Sequence, residues 1–290
     1  YIGTNLWDDY TLQNHAFFHT SYQNIAIQEL SESYMAFEAM QKDNSTALRN
    51  FPLSETLRHN VQPMFDHVLK YLALADGELA MPNGNDWSMF LYDQLASYSA
   101  MACIYRDPDA LMLENMAFKY TRARQQTTSD GSWMLNSDIG PRRMGVTGRR
   151  IVMTDLYHKY FSTASLQPTT WEEFSERHET TKYFPFVNVI RSNTKDRFTA
   201  FSWAASKKSY TGMIGTSSPD KNKIFIPFRK GNLGNFTGYF EVSGKSTDAS
   251  PLINNYYGMY PKGYTLNGSL RMNSSSLDQQ FTLYSTPGNA

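Results

Sequence analysis

The chain has 290 residues, enough for about two domains each with its own hydrophobic core. Lysine plus arginine and aspartate plus glutamate both number 27, so the formal net charge is zero, and no broad electrostatic attraction to nucleic acid or an anionic membrane is expected. The single cysteine, Cys103, excludes an intrachain disulfide and a cysteine-rich zinc site, and no apolar run approaches the roughly 20 residues of a membrane span.

The chain begins at Tyr1, without methionine or an obvious initiating element, which leads us to expect a preceding N-terminal segment. Residues 11–23, TLQNHAFFHTSYQ, then place Asn14, His15 and His19 among aromatics just ahead of a helical pattern. From about residue 20 to 164 apolar residues recur at helical spacing: Ala26, Leu30, Tyr34 and Phe37; Val61, Phe65, Val68 and Leu72; Leu91, Leu95, Tyr98 and Ala102; Met153, Leu156 and Tyr160. Ser54 with Leu57 onward, RDPDA at 106–110 and VTGRR ahead of Ile151 read as helix starts. Cys103, in SAMACIY on one of these patterns, reads as a buried core thiol.

After SLQPTTWEEF the pattern turns short and alternating, in DRFTAFSWA (196–204), NKIFIPFR (222–229) and NFTGYFEV (235–242), with Gly, Asn, Ser and Asp clusters between. The change of period sets a boundary near 165–180. It predicts a helical domain over 1–168 and an antiparallel β-rich domain over 169–290.

The helical half carries a faint repeat. ADGELAMPNGNDWSMFLYDQLASY (75–98) and SDGSWMLNSDIGPRRMGVTGRRIVMTDLYHKY (129–160) both run from Asp-Gly through a polar loop to an amphipathic helix ending in tyrosine. Stacked helical hairpins with their long loops at one end follow from this, so that QNHAFFH, PNGNDW and GPRRMGVTGRR are expected to converge on one cleft.

One chemistry open to such loops is β-elimination on an acidic polysaccharide. A uronate polymer is cut without water when the C5 proton is removed and the bond from C4 to the glycosidic oxygen breaks. That proton is very weakly acidic beside an ionised carboxylate, so preorganised donors must stabilise the enolate-like intermediate. Asn, His and Arg are suitable donors, and a tyrosine or histidine is a suitable base.

The QNHAFFH element resembles the Asn-His element of α/α-toroid polysaccharide lyases of the alginate-lyase type, and DGELAMPNGNDWSMFLYDQLASY is similar to their Asp-Gly loop and tyrosine-bearing helix. RFTAFSW (197–203) resembles the sandwich that follows the toroid in heparinase-like and chondroitin-lyase-like enzymes. The resemblance implies an incomplete α/α toroid of helical hairpins followed by an antiparallel β-sandwich. It implies a carbon–oxygen lyase acting on an acidic polysaccharide without a cofactor or metal, in the periplasm or outside the cell. Asn14, His15 and Tyr92 take the catalytic roles; His19, Asn85, Trp87, Arg142, Arg143 and Arg149 bind substrate. Gln13 and Ala16 depart from the alginate-type element, and Asn85 stands near the place of an expected arginine. The arginines at 142, 143, 149 and 150 are the candidate replacements.

Plainer readings exist for each residue. Asn14 suits a helix cap. His15 and His19 have the spacing of one helical face, which permits a metal pair, although packing is the commoner fate. Tyr92 fits a core position, and the arginines fit a solvated charge cluster. Two other functions are compatible with the pattern: a glycoside hydrolase using two of Asp8, Asp9, Asp76, Asp86 and Asp138, or a glycan-binding protein without catalysis.

Overall fold

The computed structural model describes residues 5–14, 17–42, 53–80, 91–126 and 140–194, Pro82 and Ser129 singly, and six strands after residue 197, with residues beyond 200 described by backbone alone. It is a mixed helical and antiparallel β protein. Its packing divides it into two compact units: Ser21–Leu79 with Met89–Phe174, and Tyr1–Thr20 with Ala80–Ser88 and Ser175–Ala290. The first twenty residues therefore group with the strands.

The helical unit contains α1 (Thr20–Lys42) and α2 (Leu53–Arg58). Then α3 (Val61–Met64) runs through a π-helical turn, Phe65–Leu69, into α4 (Lys70–Leu72). After these come α5 (Leu91–Ile104), α6 (Pro108–Gln125), α7 (Gly140–Phe161) and α8 (Trp171–His178), the last extending past Phe174. Val61, Phe65, Val68 and Leu72 are wholly buried, in the phase their spacing predicts. RDPDA starts α6 as expected: Asp107 Oδ1 accepts the Ala110 N–H at 2.9 Å, with Pro108 at the first helical position. At α8, Thr170 Oγ1 accepts the Glu173 N–H at 3.2 Å while Glu173 Oε2 accepts the Thr170 N–H at 3.0 Å, a reciprocal capping box.

The Asp-Gly pair at 76–77 is a tight turn. Asp76 Oδ1 accepts the Glu78 N–H at 3.0 Å, and Gly77 takes φ +82° while its N–H donates to Leu74 O at 2.9 Å. Tyr98 of α5 anchors this turn, its hydroxyl donating to Gly77 O at 2.7 Å. The second Asp-Gly pair lies outside the described residues.

Two expectations about α7 are corrected. GPRRMGVTGRR is not a loop and VTGRR is not a helix start, because α7 is continuous from Gly140. Pro141 sits in the first turn, where its missing N–H costs nothing, and Gly145 and Gly148 each cost only about 1 kcal/mol in a helix interior. The buried face is also shifted by one residue: Tyr157 is fully buried, whereas Leu156 is exposed.

In the strand-rich unit, residues 5–13 form a hairpin closed by Leu6 bridging Leu12 and by the Gln13 N–H donating to Asn5 O at 2.8 Å. The chain continues into β1 (Gln13–Asn14) and β2 (Phe17–Phe18), paired antiparallel. The strands β3 (Thr181–Phe184), β4 (Val189–Asn193), β5 (Phe198–Ser202) and β6 (Gly212–Gly215) form an antiparallel meander in that order. Two hairpins follow, β7 (Tyr239–Val242) with β8 (Lys245–Asp248) and β9 (Thr265–Arg271) with β10 (Asp278–Tyr284). Buried Phe18 stacks on buried Phe184 at 6.3 Å. Arg191, also buried, spends its guanidinium on main chain, donating to His178 O at 2.8 Å and Thr180 O at 2.6 Å. The run 222–229 lies outside the described residues.

Candidate functional site

Contacts between α1, α5 and α7 fix their directions. Along α1 and α7, Arg149 meets Glu29 at 2.8 Å, Tyr34 stacks on Phe161 at 6.1 Å, and Lys42 lies 4.1 Å from the Tyr160 ring centroid. Glu29 pairs midway along α7, while the later residues Tyr34 and Lys42 pair with its last two, so the two helices run the same way. Glu29 and Arg149 are each the tenth residue of their helix, whereas Tyr34 is the fifteenth of α1 and its partner Phe161 the twenty-second of α7. Along α1 and α5, Ser97 Oγ donates to Asn24 Oδ1, and further on Met35 packs with Ala100 and Cys103. Asn24 is the fifth residue of α1 and Ser97 the seventh of α5, an offset of about 3 Å along the axis. Helix α6 returns against α5 through a three-residue link.

Three helix N-termini thus lie at one end of this unit. Each carries about half a positive charge from its aligned peptide dipoles, with main-chain N–H groups pointing outward, an arrangement that favours an anionic group.

Beneath these termini the helices face one another with polar side chains. Asn24, Gln28 and Ser31 of α1, Gln94 and Ser97 of α5, and Thr147 and Arg150 of α7 are all nearly or wholly buried. Asn24 Nδ2, Ser31 Oγ, Glu32 Oε1, Gln94 Nε2 and Tyr157 OH find no hydrogen-bond partner among the described residues. A buried polar atom without a partner costs about 1–3 kcal/mol, so the interior here is polar at an energetic cost among the described residues. Burial and the adjacent Arg149 charge push the Arg150 guanidinium below its ordinary pKa, with Glu29 and Glu32 pulling the other way. Burial likewise raises the Glu32 carboxyl, against the opposing pull of Arg149.

A second polar knot ties α5, α6 and α7 together. Glu114 Oε1 accepts from Ser99 Oγ at 2.7 Å, and His158 Nε2 lies 2.8 Å from that oxygen. His158 Nδ1 is 3.0 Å from Thr163 Oγ1. The Cys103 thiol and then Glu114 hold the imidazole charged, raising its pKa to about 10. Elsewhere Lys70 reaches Asp66, Asp107 and Asp109 at 2.8, 2.6 and 3.0 Å. One ammonium serves three carboxylates there. Burial opposes its charge, yet Asp107 and then the other two hold it above the ordinary lysine value, while burial of Asp107 raises that carboxyl despite Lys70.

The residues expected from sequence are distributed as follows. Asn14 is half-buried on β1, its backbone paired with Phe17, and it precedes α1 by six residues, so it is not that helix's cap. His19 is wholly buried just before α1, with its N–H donating to Leu12 O at 3.3 Å; it is not helical, which removes the shared helical face with His15. His15, Asn85 and Trp87 lie outside the described residues. Tyr92 is the second residue of α5, and Arg142 and Arg143 are in the first turn of α7, with their side chains outside what is described. Arg149 is half-exposed and paired with Glu29 and, at 3.5 Å, Glu32. Asn14 and His19 belong to the strand-rich unit, Tyr92 and Arg149 to the helical one.

Sequence reasoning missed Asn24, Gln28, Ser31, Gln94 and Ser97. The available signal was a polar stripe, Asn24–Gln28–Ser31, at the spacing of one helical face. Among the described residues, no cluster of three His, Cys, Asp or Glu side chains could hold a metal ion, and no helix is long and apolar enough to cross a membrane. No protein-family model, curated protein or solved structure matches the chain.

Proposed function

We propose that the chain is a carbon–oxygen lyase that cuts a uronate-containing polysaccharide by β-elimination, on an incomplete α/α toroid followed by an antiparallel β-sandwich. The observation that carries this reading is the shared direction of α1, α5 and α7, whose N-termini lie at one end of the helical unit above a buried polar seam. The alternation of direction from α5 through α6 to α7 is that of stacked helical hairpins, and every described strand pair is antiparallel.

The chemistry assigns roles as follows. Asn14 and His15 donate to the uronate carboxylate, so that negative charge moving onto it after loss of the C5 proton is stabilised. Tyr92, ionised, takes the C5 proton; the C4–oxygen bond breaks, its electron pair leaves with the oxygen, and Tyr92 returns the proton there as the C4–C5 double bond forms. An ordinary tyrosine titrates near 10, so the base needs cations and helix N-termini nearby to be ionised closer to neutrality. Tyr92 stands in the first turn of α5, where that dipole acts. Arg142 and Arg143 in the first turn of α7, with Asn85, Trp87 and Arg149, hold the polymer; His19, expected to bind substrate as well, is wholly buried and is left out of that set. A periplasmic or extracellular setting goes with such a substrate.

Incubation with alginate, heparan sulfate, chondroitin sulfate, hyaluronan and pectate, followed by ultraviolet absorbance, tests the proposal. A lyase generates a conjugated double bond. New reducing ends without absorbance indicate a hydrolase, and neither product indicates a binding protein.

A further inference from the structure

We draw no further inference here: the strongest candidate, the outward face of α7 on which Gly145, Gly148, Val152 and Leu156 lie along one exposed stripe, is an unpartnered apolar face, and nothing among the described residues shows what covers it.

Discussion

His158 Nε2 contacts both oxygens of Glu114, at 2.8 and 3.0 Å, so one imidazole on α7 closes on one carboxylate of α6 that already holds Ser99 of α5. Three helices are joined at one charged point. The imidazole titrates at about 10 in the folded chain against 6.5 ordinarily, because the Cys103 thiol and Glu114 favour its charged form. A raised folded pKa contributes stability that is complete below about 6.5 and is lost as pH rises through about 10. Glu114→Gln should therefore melt below wild type at pH 7, with the gap narrowing above pH 10. Imidazole resonances should show His158 still charged at pH 8; titration near 6.5 would contradict the pairing.

Lys70→Met should be severely destabilising, by about 3–5 kcal/mol, because it leaves Asp66, Asp107 and Asp109 crowded without their shared cation. Denaturant unfolding measures this at pH 7. The deficit should shrink in acid, where protonation relieves the repulsion among the carboxyls.

Gly77→Ala combines two penalties. The backbone is at φ +82°, and an added Cβ would stand 2.7 Å from the Ala117 nitrogen and 2.8 Å from Leu113 O, both main chain and unable to yield. A loss of more than about 2 kcal/mol is expected in chemical unfolding. Tyr98→Phe, which removes only the hydroxyl bonded to Gly77 O, should cost about 1 kcal/mol. A variant at position 77 that melts like wild type would refute the packing of this turn on α6.

Asn14→Ala, which removes no helix cap, should lower any lyase turnover by about 100-fold or more in a protein that still folds, as judged by circular dichroism. Tyr92→Phe should bind polymer with little change and release no unsaturated product. Full activity in a folded Tyr92→Phe protein places the base elsewhere.

Much of the helical unit was legible because burial there follows apolar spacing. Val61, Phe65, Val68 and Leu72 are buried in the predicted phase, and Asp107 with Pro108 marks a helix start by local chemistry alone, whereas α5 is buried at every position from 94 to 103 and shows no phase. Helix α1 was legible as a helix but not in its burial. Its most enclosed positions include Gln23, Asn24, Gln28 and Ser31, whereas the apolar stripe Ala26, Leu30, Tyr34 and Phe37 is only half-buried. Apolar periodicity takes hydrophobicity as the marker of the interior, and here the interior at the level of the helix starts is made of amides and hydroxyls. In α7, two glycines and a proline imitated a loop because their local cost is visible in sequence while the burial of Tyr157 that offsets it is not.

The lone thiol of Cys103 gives this helical unit a built-in clock. It is buried where α5 packs against Tyr157 of α7, and no other cysteine competes for a reagent. A thiol-specific label added under native conditions can react only when those helices part. If closing is faster than labelling, the rate reports the fraction of time they are open; if labelling is faster, it reports the opening rate itself. Varying reagent concentration moves between the two regimes, so one unmodified side chain measures both how often and how fast the helices separate, with no mutation introduced.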